Sequence, residues 1–158
     1  MKKLTWPAVL LALAAVVTHG FARAVTSQSD TAMRERILSK DFSTAEQALE
    51  ENRRLRDARA VCLSLEHPSL LIKRRAAEAL GDLKDKGAVK CLVQALERNQ
   101  VVLLGGSETQ VEQGELNKSI LGALNATTGL DLPVTPRPTP AQLRRVKAKT
   151  ARWVSAGK

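Results

Sequence analysis

The sequence predicts an all-α chain, a short solenoid of about three stacked helix pairs, and three observations carry that expectation. Apolar residues make up 44% of the chain and are mostly Leu, Ala and Val, with 3% aromatic and no Tyr, a profile that suits packed helices better than sheets. No stretch of more than a few residues keeps the two-residue alternation of a strand, whereas apolar positions recur at steps of three and four. Segments of the chain also resemble one another at fixed offsets, as repeated helix pairs require. At 158 residues there is room for one ordinary domain.

Taken in order, Lys2 and Lys3 precede an unbroken apolar run, Ala8 to Val17, then Gly20 and the small-residue stretch Ala22, Arg23, Ala24. This is the layout of a secretory signal peptide over residues 1–24, with cleavage after Ala24. The run is about half of the ~20 residues a membrane-spanning helix needs, so an uncleaved anchor is the weaker alternative. The first cysteine is Cys62, which leaves no lipid-bearing cysteine at the new amino terminus. The processed chain is expected to be soluble, in the periplasm or outside a bacterium. Residues 25–42 read as a flexible leader with a short helix over Thr31 to Leu38, and residues 43–158 as the repeat domain.

Ser43 with Glu46 three residues on has the pattern of a capping box, which predicts a helix from Thr44 to Arg54. Asp57 is placed to cap the next, whose Ala60, Val61, Leu63 and Leu65 continue to a break at Pro68. Leu71, Ile72, Ala76, Ala79, Leu80 and Leu83 form an apolar stripe with Lys73, Arg74, Arg75 and Glu78 mostly off it, an amphipathic helix ending near Gly81. Asp85 is the expected cap of its partner, whose Val89, Leu92, Val93 and Leu96 share a face up to about Arg98. Gln100 to Gly114 reads as an insertion, apolar at Val101 to Leu104, where it is expected to cover the end of the core, and flexible after it. Pro133, Pro136, Pro138 and Pro140 make the last connection extended and stiff, with Thr139 as cap and Pro140 as first helical residue. Leu143, Val146, Thr150, Trp153 and Val154 then share one helix face, with Trp153 as a core anchor.

Two internal matches fix the repeat. LRDARAV at Leu55 to Val61 overlays LKDKGAV at Leu83 to Val89, an offset of 28. LIKRRAAEAL at Leu71 to Leu80 overlays ELNKSILGAL at Glu115 to Leu124, an offset of 44, the extra length falling in the Gln100 to Gly114 stretch.

The segment Ser69 to Glu97, SLLIKRRAAEALGDLKDKGAVKCLVQALE, resembles one HEAT repeat of the short bacterial type found in phycobilin lyases. Ile72 and Lys73 stand where that family usually has Val and Arg; Ala76, Ala77, Ala79, Leu80 and Gly81 match its first-helix ending, and Asp85, Ala88, Val89, Leu92 and Leu96 its second helix. Lys86 replaces the usual Pro and Cys91 a common Ala, so the second helix is expected to start less sharply. The flanking units are degenerate. The last, ALNATTGLDL at Ala123 to Leu132 with Trp153 beyond, resembles the terminal repeat of some secreted bacterial HEAT proteins. The resemblance implies a HEAT/armadillo-like stack and an interaction role. Chromophore handling, by analogy with the lyases, is disfavoured because those resemble cytoplasmic proteins and this chain carries an export pattern.

Residues that could carry catalysis are sparse. His67 is the one histidine beyond the leader, has no spaced His or Cys partner, and reads as a turn residue before Pro68. Glu46, Glu50 and Glu51 read as a solvated helix face, and Gly105-Gly106 lacks the following Lys and Ser or Thr of a phosphate loop. No catalytic residue, metal or cofactor is expected. Cys62 and Cys91 are read as two buried free thiols, with a disulfide between second helices of adjacent repeats as the alternative.

The formal charge of +9 falls to +6 once Lys2, Lys3 and Arg23 leave with the leader. After Asp131 there is no acid, while Arg137, Arg144, Arg145, Lys147, Lys149, Arg152 and Lys158 all follow. Arg144, Arg145, Lys147, Lys149 and Arg152 read first as the polar face of a helix with a buried opposite face. Their alternative is contact with an acidic polymer or membrane surface. Nucleic acid is disfavoured because Phe42 and Trp153 are the only Phe, Trp or Tyr residues after the signal peptide of residues 1–24. The expected partner is another protein. Self-association is a further option, since three helix pairs are near the minimum a stack needs to bury its faces.

Overall fold

The computed structural model describes residues 30–100 and 107–157, and every regular element among these described residues is a helix. The chain divides into two compact units, Met1–Glu35 and Arg36–Lys158. In the first, residues 30–35 are described and helical, the start of a helix α1 over residues 30–37. The second unit holds α2 (Phe42–Arg54), α3 (Ala58–Ser64), α4 (Leu70–Leu83), α5 (Ala88–Gln100), α6 (Ser107–Thr128) and α7 (Pro140–Ser155). The expected signal peptide and Val101 to Leu104 lie outside the described residues. The stretch expected to be flexible after Val101 to Leu104 is helical from Ser107 onward, as the first turns of α6.

The helix starts follow from side-chain acceptors. Asp41 caps α2 in place of Ser43: its carboxylate accepts from the Thr44 N–H at 3.1 Å and from the hydroxyls of Thr44 at 2.5 Å and Ser43 at 2.9 Å. A carboxylate is the stronger acceptor, so Ser43 donates into it instead of capping the helix itself. The Thr44 hydroxyl first, then Ser43, holds the Asp41 carboxyl below its usual range. Asp57 caps α3 by accepting from the Ala60 N–H at 3.0 Å. Asp85 makes a tighter turn, accepting from the Gly87 N–H at 2.6 Å, and α5 begins at Ala88. Thr139 and Gln142 form a reciprocal capping box on α7 with Pro140 in its first turn.

Helices two apart in sequence lie side by side. α2 packs on α4 and α4 on α6; α3 packs on α5 and α5 on α7; α2–α3, α3–α4 and α5–α6 also touch. The internal sequence matches reappear as matched burial. Ile72, Ala76, Ala77, Ala79 and Leu80 of α4 are buried, as are Leu116, Ile120, Leu121, Ala123 and Leu124 of α6 at the offset of 44. Ala60 and Val61 of α3 and Ala88 and Val89 of α5 do the same at the offset of 28. The helix endings match too: Arg56 after α2 and Lys84 after α4 both have positive φ, 57° and 52°, and Gly129 after α6 has 67°. Each gives the left-handed step that ends a helix and turns the chain.

α4 ends at Leu83, near Gly81 as expected, but Gly81 is not the residue that turns the chain. The left-handed position belongs to Lys84, and Gly81 lies buried inside the helix, where an added Cβ would stand 3.1 Å from Ala123 Cα. The close approach of α4 to α6 makes any side chain tight there, so that Ala123 would have to give by a few tenths of an ångström. Cys62 and Cys91 are not free thiols: they are joined in a disulfide with Cα atoms 6.0 Å apart, linking α3 to α5. Helix axes normally lie 8–10 Å apart, but both cysteines occupy the sides of α3 and α5 that face each other, which brings their Cα atoms within bridging range. On α7, Val146 and Thr150 are buried, Leu143 and Trp153 pack against the core at partial burial, and Val154 is exposed, outside the expected face.

The connection 129–139 is held to α6 by side-chain amides. Asn125 donates to the Leu132 carbonyl at 2.9 Å and accepts from its N–H at 2.9 Å, and Asn117 donates to the Pro136 carbonyl at 2.9 Å. Gly114 gives Pro136 room, since a Cβ there would meet the proline ring at 3.0 Å.

Candidate interaction surface

The repeat-motif residues divide cleanly by burial. Ile72, Ala76, Leu80, Val89, Leu92 and Leu96 are core; Asp85 is an exposed turn residue; Trp153 is partly covered. The first six fill the core between the helices, and the outer faces remain exposed. Polar bonds lace neighbouring helices across those faces: Arg53 to Asp82 at 3.0 Å and Arg75 to Glu46 join α2 to α4, Ser119 donates to Glu78 at 3.1 Å between α6 and α4, and Lys147 meets Glu97 at 2.5 Å between α7 and α5. Exposed pairs of this kind contribute little individually, about 0–1 kcal/mol each.

Of the basic residues of α7, Lys147 is engaged by Glu97 and Lys149 donates to the Asp131 carbonyl at 3.3 Å. Arg144, Arg145 and Arg152 are exposed and have no acidic partner among the described residues. Arg145 and Lys149, one turn apart, border a shallow hollow with Leu132, Pro133 and Gln142. Among the described residues, no three His, Cys, Asp or Glu side chains group in a way that could hold a metal ion, and no helix is long and apolar enough to cross a membrane.

His67 is a buried fastening. Its Nδ1 accepts from the Ser69 N–H at 3.0 Å, which leaves Nε2 as the donor to the Ser39 carbonyl at 2.8 Å. One neutral tautomer satisfies both bonds and ties the α3–α4 turn to the segment before α2. His67 and its backbone partners are thus accounted for structurally.

Between the α3–α4 turn, the start of α4, the end of α5 and the early turns of α6 opens a cleft of about 390 Å³. Its apolar wall includes Leu65, Leu70, Ala95 and Leu116, and its polar wall Glu66, Lys73, Arg98 and Asn99. Glu66 pairs with Arg98 at 3.3 Å. Lys73 is half-buried and has no anionic partner among the described residues; burial, and then the charge of Arg98, holds its ammonium below the ordinary lysine range. Composition and motif reading pass over this cleft, because its walls come from four separate elements. A signal is nonetheless present: Lys73 precedes Ala76, Ala77 and Leu80 by three, four and seven residues, which places it on the edge of the buried stripe and not on the solvent face.

No protein-family model matches the chain, and comparison with curated proteins and with solved structures finds no match either.

Proposed function

We propose that the chain is an exported, non-enzymatic adaptor of the HEAT-repeat kind, a short helical stack whose outer faces and cleft hold another protein. The observation that carries this reading is the alternation of contacts, with α2, α4 and α6 side by side in one row and α3, α5 and α7 in another. A stack of that kind buries one face of every helix and leaves the other as continuous surface. The Cys62–Cys91 disulfide fits the proposed export, because such bridges persist in oxidising compartments. The adaptor reading is tested by capture from the envelope fraction of the source cell with the full chain, partner identification by mass, and reconstitution of the complex from the two purified proteins. A partner that re-forms the complex supports the reading. If every captured protein fails to do so, the reading is lost.

A second reading, contact with an acidic polymer or membrane surface, is favoured by the exposed Arg144, Arg145 and Arg152, which have no acidic partner among the described residues and lie on a stretch without a single acid. Binding to an acidic polysaccharide that collapses steeply as salt rises supports it, and absence of binding at low salt removes it.

A further inference from the structure

We propose that the cleft around Lys73 and Arg98 takes a peptide segment of the partner protein in which a large apolar side chain stands next to a carboxylate. The inference rests on the adaptor reading and names what the adaptor grips. Three features of the cleft together specify this ligand. The apolar wall of Leu65, Leu70, Ala95 and Leu116 offers a side-chain-sized apolar seat, within a volume typical of ligand sites, about 300–1,000 Å³. Among the described residues the charges beside that seat do not balance: Glu66 answers Arg98, while Lys73 has no anionic partner, is half-withdrawn from water and faces a second cation. One carboxylate placed between Lys73 and Arg98 removes that repulsion and restores neutrality.

The third feature separates a peptide from a simple amphiphile. Asn99 spends its amide hydrogens on the Gln113 carbonyl at 3.0 Å and on Asn117 Oδ1 at 2.8 Å. Its amide oxygen is left as an acceptor at the rim, and no donor reaches it among the described residues. A peptide supplies the N–H that this oxygen needs, the carboxylate that Lys73 needs and the apolar group that fills the seat. A fatty acid lacks the N–H, and a phosphate polymer lacks the apolar group.

The placement of Lys73 suits such a ligand. The Lys73 stem covers apolar surface beside the core, and its ammonium is held partly out of water next to Arg98. A carboxylate bound there gains a charge-assisted hydrogen bond from that ammonium.

The test uses the isotope-labelled full chain with its disulfide intact, followed by NMR during titration with N-acetyl-Leu-Glu amide, its Leu-Gln counterpart and octanoate. The amides of Lys73, Ala95, Asn99 and Leu116 shift saturably with the Glu peptide, and the Gln peptide binds about tenfold more weakly, the factor expected for a charge-assisted hydrogen bond. Lys73→Met lowers affinity for the Glu peptide by about the same factor, and Lys73→Arg, which keeps the charge, restores most of it. Circular dichroism identical among the three forms shows that the fold is not the variable. Equal binding of the Glu and Gln peptides overturns the proposal, as does octanoate binding as tightly as the peptide, or no saturable shift at about 10 mM probe. A captured partner that binds Lys73→Met as well as the native chain leaves the adaptor reading standing and removes this cleft as its contact.

Discussion

Between α4 and α6 the chain is held by shape: Gly81 lets Ala123 approach to the point where a Cβ would stand 3.1 Å from its Cα, and matched rows of buried Ala, Leu and Ile fill the rest. From residue 129 onward it is held by hydrogen bonds, as Asn117 and Asn125 on α6 grasp the backbone at Pro136 and Leu132 before α7 begins. The first kind of contact tolerates no added volume and is shared by several helices at once. The second is local and depends on a few amides. Damage in the stack should therefore spread through the whole unit, whereas damage at the clamps should release the end and leave the stack folded.

The largest expected effect tests the stack through its covalent tie. Replacing both Cys62 and Cys91 by Ser opens a loop with a sequence separation of 29. A loop of that size corresponds to about 3–4 kcal/mol in the chain-entropy description. Urea unfolding of the native chain against the double variant measures it. A loss below about 1 kcal/mol would mean that packing alone fixes α3 against α5 in both states of the chain.

Next in size is Gly81→Leu, which forces a side chain into the α4–α6 contact and should cost about 3 kcal/mol. Because α4 touches α2, α3 and α6, the loss should appear in one cooperative transition and not in one helix alone. Retention of native stability would mean that α4 and α6 are farther apart in solution than 3.1 Å at Gly81 allows.

Asn125→Ala sharpens the other side of the comparison. It leaves the Leu132 carbonyl without its partner and the Leu132 N–H with only the Leu130 carbonyl at 3.0 Å, a loss of about 1–2 kcal/mol. Hydrogen exchange should accelerate in residues 129–157 and stay unchanged in α4, with Asn125→Asp restoring only the bond to the Leu132 N–H. Equal acceleration in α4 would show that the end and the stack unfold together.

These two modes of attachment also explain what could be read in the sequence. Apolar stripes are dictated by period, so most core positions of α4 and α5 and the offsets of 28 and 44 were visible, although Leu71, on the expected stripe of α4, is exposed; visible too were the caps Asp57 and Thr139, whose acceptors sit directly before the helices they start. Competition between neighbouring acceptors was not visible: Ser43 has the capping pattern, yet the Asp41 carboxylate two residues earlier caps the helix and accepts a hydrogen bond from the Ser43 hydroxyl. Gly81 resembles a helix end in the sequence, but its reason is Ala123, more than 40 residues away, and the left-handed step falls on Lys84. The bridge between Cys62 and Cys91 depended on which side of each helix the sulfur occupies, finer than an offset of 28 or 29 can resolve. The amide clamps were hidden because an Asn carries no period; only its distance to a loop carbonyl reveals its task. The cleft at Lys73 was hidden for the same reason, its walls coming together only when four elements meet.

The smallest effect has the opposite sign and separates two glycines on the same pair of helices. Gly122 lies inside α6, as Gly81 lies inside α4, but a Cβ at Gly122 would meet nothing within 4 Å. Substitution there adds helix propensity and narrows the unfolded ensemble without a clash, so Gly122→Ala should raise stability by about 0.5–1 kcal/mol. The same change at Gly81 gains the same propensity but meets Ala123 Cα at 3.1 Å and Cβ at 3.3 Å, and should end as a net loss. Measured side by side in urea, the pair isolates contact from propensity, because the chemistry of the change is identical. A loss at Gly122 as well would mean that the groove between α4 and α6, with Ser119, Ala126 and Glu78 along its edges, is filled in solution by something that a methyl group displaces.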